Sequence, residues 1–345
     1  MPVSANVMST VRRPRARRVS SHPLLGPGAA PGYGPIFNAG LLHHGGRFHL
    51  FARGVRDGYR RNPGEGARFL DYVSDVLLFR SDDGLRYTFD HVLLASDGDA
   101  FHAIEDPRVQ RVSSCAVGGG THADHLVMTY TRLSHPDSGR PWQIGAHRLV
   151  EDGDRLVVDP SSACILGPEG IHDKDGVVFN LSDGRVALLH RVHPDMQVAV
   201  FDDLEHLWNA DALYWRTHLD QIERHTIIRP TPGSLGVGAG APPLVCEAGL
   251  LLFFHERRSD GVYTMKVALL DPASGEVRSM LPDALLEPEM EWERFGDVEN
   301  VVFVQGVHRL DDGQIYLTYG AADRCVGAAI VHEGDLLDAF ARRGA

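Results

Sequence analysis

The chain has 345 residues, with 34 basic and 46 acidic side chains and a formal net charge of -12. A single domain of this length points to a barrel, a propeller or another repeat-like β fold. The acidic balance argues against nucleic acid and against an anionic membrane as partners. No apolar run approaches the roughly 20 residues that cross a bilayer.

The four cysteines are far apart in the sequence and form no CxxC pair; they are Cys115, Cys164, Cys246 and Cys325. This spacing matches neither a zinc site nor a dense disulfide framework, so a reducing cytoplasm is the simplest setting. The basic segment 1–28 lacks the apolar stretch of a secretory signal. We predict a flexible N-terminal arm there, and a homo-oligomer contact through it is left open.

Short apolar runs, bounded by glycine and aspartate turns, recur from about residue 36 to 333 and predict strands joined by hairpins. In chain order they are 47–52, 73–80, 125–131, 186–191, 197–201, 250–255, 263–270, 300–303 and 314–319. Helical periodicity is scarce outside the last residues, from Asp335, which look helical. The sequence therefore predicts an all-β protein.

The strands group into five blocks, and each block holds three or four of them. The blocks are 34–92, 98–160, 168–215, 234–282 and 294–335. Four-stranded sheets arranged radially form a β-propeller, so we predict one five-bladed propeller over 29–345 with a short C-terminal helix. A two-sheet sandwich is the alternative. The stretch 203–231 is expected to be an irregular loop over the site.

The hexamer 104–109 contains Glu105, Asp106, Pro107 and Arg108. Proline disfavours helical geometry for the preceding residue, so we expect Asp106 on a stiff extended backbone. A second carboxylate and a guanidinium lie beside it in the sequence. Such surroundings prepare a carboxylic acid for proton transfer. A solvated turn with a surface charge pair is the plainer interpretation.

Other polar side chains interrupt or end apolar strands about once in each block. They are Asn38, Arg53, Lys174, Asp175, Arg191, His255 and Asp323. Equivalent strand ends converge on the axis of a propeller, so we expect one cavity that contains Asp106 together with Arg53, Lys174, Arg191, His255 and Asp323. A cavity with one or two acids and several cations suits a sugar together with an anion such as phosphate.

Two other patterns argue against a bound cofactor. The glycine-rich stretch 236–240 lacks the strand-then-helix context of a phosphate-binding loop. His122 and His125 are three residues apart, which puts them on opposite faces of a strand and disfavours a metal pair. We therefore expect neither a metal nor an organic cofactor.

In these residues the chain resembles glycoside hydrolase family 130, the mannoside phosphorylases and their hydrolytic relatives. The resemblance covers most of 34–333 and rests on the order and spacing of several short motifs. They are Phe37-Asn38, Phe51-Ala52-Arg53, Ser81-Asp82-Asp83-Gly84, Glu105-Asp106-Pro107-Arg108, Lys174-Asp175, His190-Arg191, Gly238-Ala239-Gly240-Ala241-Pro242-Pro243, Leu269-Leu270-Asp271, Asn300-Val301-Val302-Phe303 and Gly320-Ala321-Ala322-Asp323.

The resemblance implies a five-bladed propeller that acts on β-mannosides with inversion at the anomeric carbon. It implies that Asp106 is the general acid and that inorganic phosphate is a co-substrate. We expect Lys174, Arg191 and His255 to bind phosphate. We expect the sugar to be bound by Asn38, Arg53, Glu105, Asp175 and Asp323. Mannose 1-phosphate would be the product.

The sequence departs from the family pattern at two places. It has His255-Glu256 where His-Gly is usual, and Phe179-Asn180 where Phe-Pro is common. An inverting hydrolase needs a second carboxylate roughly 6.5–9.5 Å from the acid. Glu256 or Glu247 could supply it, so an exo-β-mannosidase stays open. A carbohydrate-binding propeller without catalysis is the third alternative.

Overall fold

The computed structural model describes residues 13–64, 68–97, 102–114, 123–135 and 138–344. Most of these residues lie in strands, as predicted. The strands are β1 Arg17–Arg18, β2 Tyr33–His44, β3 Arg47–Arg56, β4 Arg60–Arg61, β5 Phe69–Leu70, β6 Ser74–Ser81, β7 Thr88–Leu94, β8 Ala103–Ser114, β9 Ala123–Leu133, β10 Gln143–Asp152, β11 Arg155–Val158, β12 Cys164–Leu166, β13 Lys174–Asn180, β14 Val186–Arg191, β15 Met196–Phe201, β16 Thr226–Ile228, β17 Ser234–Ala239, β18 Leu244–Cys246, β19 Gly249–Arg258, β20 Tyr263–Leu270, β21 Val277–Met280, β22 Val302–Arg309, β23 Gln314–Ala321 and β24 Cys325–His332.

Five α-helices accompany the strands in the described part of the chain. They are α1 Leu204–Trp208, α2 Ala212–Asp220, α3 Ile222–His225, α4 Glu291–Arg294 and α5 Glu333–Gly344. The last includes the C-terminal residues expected to be helical. None of the five is long and apolar enough to cross a membrane.

The stretch 203–231 was expected to be an irregular loop, and that prediction is wrong. Its residues form α1, α2 and α3 and then the strand β16. Asp203 and Asp211 begin α1 and α2 because their side chains accept hydrogen bonds from the backbone N–H groups of His206 and Tyr214. An aspartate that caps a helix in this way was the signal in the sequence.

The strands pair mainly in antiparallel sheets. One sheet has the order β13-β14-β15-β16, another β17-β19-β20-β21 with β18 on β19, and another β22-β23-β24-β1. The remaining large sheet consists of an antiparallel unit β2-β3-β6-β7 and a unit β8-β9-β10-β11 with β12 on β10. A parallel pairing of Ser74 with Ala103 joins these two units.

The buried apolar side chains form five clusters among the described residues, and each cluster lies between two of these units. Residues such as Phe51 and Met128 fill the space between the first unit and the second. The other clusters join the second unit to the β13 sheet, the β13 sheet to the β17 sheet, and the β17 sheet to the β22 sheet. The last cluster packs Leu50 against Tyr316 and returns from the β22 sheet to the first unit.

The first strands of neighbouring units approach closely at glycines. A Cβ atom on Gly40 of β2 would lie 2.5 Å from the carbonyl oxygen of Pro107 in β8. A Cβ on Gly306 of β22 would lie 2.4 Å from the Leu41 side chain of β2. Because glycine lacks this atom, the strands pack with their backbones nearly in contact.

The N-terminal segment 1–28 was expected to be a flexible arm, but its residues 13–28 contact the last sheet. Strand β1 pairs with β24 through Arg17 and Ile330. Arg18 donates hydrogen bonds of 2.7 Å to both carboxylate oxygens of Glu293, whose side chain is fully buried. The partner of Arg18 lies more than 270 residues further along the chain. This contact orders the segment, and composition alone does not reveal it.

Candidate active site

Four of the predicted site residues adopt a left-handed backbone. Their φ angles are 46° at Asn38, 53° at Asp106, 57° at Asp175 and 51° at Asp323. Asn38, Asp106 and Asp175 lie where the pairing of β2, β8 and β13 shifts register. Asparagine and aspartate tolerate this conformation better than most residues, and a bulge redirects the side chain out of the regular alternation.

The expectation of an extended backbone at Asp106 is therefore wrong. Pro107 does keep Asp106 out of the right-handed helical region, as predicted. The residue adopts the left-handed region instead, because two residues of β8 are accommodated as a bulge between Glu105 and Arg108. The bulge turns consecutive acidic side chains toward the same arginine.

Asp106 is 4% exposed, and its carboxylate contacts two donors. Asn38 donates from Nδ2 to Oδ1 over 2.7 Å. The Nη1 atom of Arg53 lies 3.3 Å from the same oxygen. Both donors approach Oδ1, which leaves Oδ2 without a hydrogen bond from the described residues.

Arg53 connects the acidic groups of this site. Its Nη2 donates to Glu105 and to the Tyr72 hydroxyl, and its guanidinium carbon lies 4.7 Å from the centre of the Phe37 ring. Burial acts to lower the pKa of Arg53, but the charge of Glu105 and the other nearby acids raises it. Burial raises the pKa of Glu105 itself, against the opposing charge of Arg53.

Arg108 makes internal contacts and is 2% exposed. It donates to the carbonyl oxygens of Asp106 at 2.9 Å, Gly240 at 2.8 Å and Ala239 at 2.7 Å. Its Nη2 also lies 3.2 Å from Oδ1 of Asp175. Arg108 therefore ties β8 to β13 and to the segment that ends β17.

Asp175 is fully buried among cations. Besides Arg108, Nε of Arg191 lies 3.1 Å from its Oδ2, and Nε2 of His255 lies 3.6 Å away. Burial acts to raise the pKa of Asp175, but Arg191, His255 and Arg108 hold it below its ordinary value. Because the carboxylate contacts protein cations, its position suits orienting Arg191 better than binding a sugar.

His255 is 1% exposed and stacks on Phe303 with the ring centres 4.0 Å apart. Burial holds the pKa of His255 well below its ordinary value, and the charge of Asp175 only partly opposes this. Burial therefore favours the neutral imidazole, which can donate a hydrogen bond to an anion.

Lys174 and Arg191 provide the positive charge beside this cluster. Nζ of Lys174 lies 5.2 Å from the centre of the Trp142 ring. Burial lowers the pKa of Lys174, with Arg191 adding to the effect, while Asp175, Asp106 and Glu105 raise it. The structure therefore brings Lys174 within electrostatic reach of both the acid pair and Arg191.

A cavity of about 540 Å³ opens beside these groups. Of the predicted residues, Arg53, Glu105 and Asp323 line it. Burial raises the pKa of Asp323 to about 7, with Arg53 opposing and with Asp106 and Glu105 adding to the rise. Sequence reasoning missed other residues that line the cavity, among them Arg68, Tyr72, His102, Arg140, Trp142 and His172.

The two candidate bases of a hydrolase lie elsewhere. Oε2 of Glu256 accepts a 2.9 Å hydrogen bond from Lys266, and Oε1 accepts one of 2.6 Å from the backbone N–H of Thr231. Glu247 is exposed and lines a separate cavity near Arg309. Neither lines the cavity beside Arg53 and Glu105.

The second departure from the family pattern has a packing role. The Asn180 side chain accepts a hydrogen bond from the N–H of Ser113 and donates one to its carbonyl oxygen, both over 2.8 Å. Asn180 therefore links β13 to β8, and it does not line the cavity beside Arg53 and Glu105. His122 of the candidate metal pair lies outside the described residues, among which there is no cluster of three or more potential metal ligands.

Comparisons with known proteins identify the family of this chain. The sequence model of glycoside hydrolase family 130, described as beta-1,4-mannooligosaccharide phosphorylase, matches residues 11–342. A 1,2-beta-oligomannan phosphorylase from Thermoanaerobacter sp. (strain X514) is 27% identical over 334 residues, which are 93% of this chain and 99% of the relative. A beta-1,2-mannobiose phosphorylase from the same organism is 29% identical over 92% of this chain and 98% of its own length.

Solved structures of the same family share the fold. The beta-1,2-mannobiose phosphorylase from Listeria innocua, in complex with beta-1,2-mannobiose, superposes with a TM-score of 0.73 at 20% identity, covering 94% of this chain and 99% of that one. Another solved structure is described with the words that this family of mannoside phosphorylases contains glycoside hydrolases that target beta-1,2 mannosidic linkages in Candida mannan. It superposes with a TM-score of 0.62 at 18% identity, covering 95% of this chain and 97% of that one. The chain belongs to glycoside hydrolase family 130 and is an enzyme of that family.

Proposed function

We propose that this enzyme is an inverting phosphorylase that cleaves β-mannosides with inorganic phosphate and releases mannose 1-phosphate. The observation that carries the proposal is the pairing of one braced acid, Asp106, with a separate cationic group formed by Lys174 and Arg191. The curated relatives, which are phosphorylases of mannosides, support the same reaction.

Asp106 is the general acid in this proposal. Asn38 and Arg53 both occupy its Oδ1, so Oδ2 is the oxygen that carries the proton. That proton passes through a sugar hydroxyl to the glycosidic oxygen as the bond to the anomeric carbon breaks. Phosphate attacks the same carbon from the opposite face, forms the new C–O bond and inverts the configuration.

Phosphate is held by Lys174 and Arg191, with the neutral His255 as a hydrogen-bond donor. A guanidinium and an ammonium suit a phosphate because both donate charge-assisted hydrogen bonds. Asp175 orients Arg191 through the 3.1 Å ion pair. The non-reducing sugar is bound by Asn38, Arg53, Glu105 and Asp323. The last three of these line the cavity.

The two carboxylates that the sequence offered as the base of a hydrolase are not placed for that role. An inverting hydrolase requires a carboxylate that is free to accept a proton from water. Glu256 is already paired with Lys266, and Glu247 lies at another cavity. Phosphate is anionic before it reacts, so a phosphorylase needs no such base.

We also propose that the sheets form a five-bladed propeller. Counting the β2 and β8 units separately across the Ser74–Ala103 pairing gives five units. The five apolar clusters follow one another from unit to unit and return to the first. That cyclic order is what radial blades produce, and a two-sheet sandwich has one interface instead.

The test is to incubate the protein with β-mannobiose, with and without inorganic phosphate, and to follow the products by NMR. We expect phosphate-dependent formation of α-mannose 1-phosphate, the anomer that inversion of a β-mannoside requires. Asp106→Asn should remove this activity and leave the circular dichroism spectrum and the melting temperature nearly unchanged. Release of free mannose without phosphate, or near-normal turnover by Asp106→Asn, would overturn the proposal.

A further inference from the structure

A second cavity of about 410 Å³ is lined in part by the same two chain segments as the first. Trp142 lines the first cavity, and the next residue, Gln143, lines the second. In the same way His172 lines the first and Glu169 the second. The two cavities therefore share a wall, built from the start of β10 and the segment that leads into β13.

Two hydrogen bonds connect the two segments of this shared wall. The N–H of Trp142 donates to Nδ1 of His172 over 3.0 Å, and the N–H of Asp173 donates to the carbonyl oxygen of Trp142 over 3.0 Å. The indole of Trp142 is 41% exposed on the rim, with His172 and Lys174 against it. An exposed indole on a fixed backbone offers a flat apolar face to a sugar ring.

The opposite side of the second cavity is formed by α2. Trp215, Arg216 and Leu219 line it from that helix. Nε2 of His218, on the same helix, lies 2.9 Å from Nε2 of His190 at the end of β14. Both histidines are buried, so this contact anchors α2 to the strand that carries Arg191.

The lining of this cavity combines polar groups with apolar surface. Gln143, Glu169 and Arg216 contribute an amide, a carboxylate and a guanidinium, and within the described part of the chain none of these side chains has a hydrogen-bond or ion-pair partner. Ile165 and Leu219 add apolar surface beside them. Hydrogen-bond donors and acceptors without a protein partner, placed around apolar surface, suit a neutral polyhydroxylated ligand.

We propose that the second cavity is a distal subsite for the leaving-group end of a mannooligosaccharide. This inference rests on the proposed phosphorolysis and extends it to longer substrates. The scissile bond lies at Asp106, the chain passes over Trp142, and a sugar unit beyond it contacts Glu169 and Arg216. The site therefore selects substrates by length, because mannobiose ends before it reaches the second cavity.

The experiment compares β-mannobiose with β-mannotetraose as substrates for the wild type, Arg216→Ala and Glu169→Gln. Loss of a hydrogen bond to a charged group reduces transition-state stabilisation by about tenfold or more. We expect kcat/KM for the tetraose to fall by about tenfold in each variant, while that for the biose stays within about twofold. Arg224→Ala, an exposed arginine on α3 that does not line the cavity, is the control and should change neither.

Equal losses for both substrates, or no loss for the tetraose, would overturn the subsite. Binding is measured separately by calorimetry in the Asp106→Asn background without phosphate. There the tetraose should bind more tightly than the biose, and Arg216→Ala should remove the difference. If phosphorolysis fails but this binding pattern is seen, the proposed reaction is wrong and the subsite stands. If the two sugars bind with equal affinity, the subsite alone is wrong.

Discussion

Nδ2 of Asn38 lies 2.7 Å from Oδ1 of Asp106, and both residues have a left-handed backbone. The two belong to different units, on β2 and β8, and their side chains meet because each strand is bulged at that point. The contact orients the proposed acid and, with Arg53, leaves its Oδ2 without a donor among the described residues. Asn38 thus has a conformational role and a hydrogen-bonding role, and substitutions can separate them.

Asn38→Gly and Asn38→Ala should both lower kcat by about 10- to 100-fold, because a hydrogen bond to a carboxylate contributes about 1.5–3 kcal/mol. Alanine should also destabilise the fold by about 1 kcal/mol relative to glycine, since it tolerates the left-handed region less well. Initial rates and thermal melts of the two variants check this. Equal melting temperatures with unequal rates would contradict the separation of roles.

Glu256→Gln should lower stability and leave phosphorolysis nearly intact. The change removes the negative charge 2.9 Å from Lys266 and leaves a buried ammonium without a counter-charge, at a cost of about 3–5 kcal/mol. Denaturant unfolding measures the loss, and activity is assayed well below the melting temperature. A loss of activity of 100-fold or more in folded protein would instead indicate a catalytic base at Glu256.

Asp323→Asn should change how stability depends on pH. Burial raises the pKa of Asp323 to about 7 in the folded protein, above its unfolded value, so the folded state binds the extra proton. That stabilisation is present at low pH and is lost as pH rises from the unfolded pKa through about 7. The variant should therefore lose less melting temperature than the wild type between pH 5 and 8.

Asp152→Asn, at an exposed hairpin position, is the matched control for this measurement. It removes the same formal charge and should follow the wild-type pH profile. If Asp323→Asn also follows the wild-type profile, then Asp323 is ionised across this range and burial does not raise its pKa.

His190→Leu should weaken phosphate binding more than sugar binding. Asp173 accepts hydrogen bonds of 3.0 Å from both Nδ1 of His190 and the backbone N–H of Arg191. Removing the imidazole leaves the buried carboxylate with one fewer partner and loosens the strand end that carries Arg191. We expect KM for phosphate to rise by about tenfold, with a smaller change in KM for the mannoside.

A general loss of packing is the alternative explanation for any effect of His190→Leu. Leu189→Ala, at the neighbouring buried position of the same strand, should lower stability without this selectivity. Parallel increases in both KM values for His190→Leu would indicate that the Asp173–His190 pair only supports packing.

Much of the architecture could be predicted from the sequence. The predicted runs 186–191 and 263–270 coincide with β14 and β20, because apolar residues bounded by turns leave few alternatives to a hairpin strand. Helices α1 and α2 were missed because a single aspartate cap is the only local signal that each of them has. The placement of residues 13–28 was missed because Arg18 finds its partner Glu293 at the other end of the chain.

Asp106 and Arg53 could be proposed as site residues because a charged side chain beside an apolar strand needs a partner or a function. Tyr72 and Trp142 were not identifiable, because an aromatic residue in a loop has no feature in the sequence that distinguishes a cavity wall from ordinary packing. The sequence by itself determined most of the strands and supplied the hypotheses for the acid and the cations. Only the tertiary structure decided which charged groups pair, Asp175 with Arg191 and Glu256 with Lys266, and which are held in burial that disfavours their charge, as at His255. Burial and pairing arise from contacts between distant segments, which the sequence does not display.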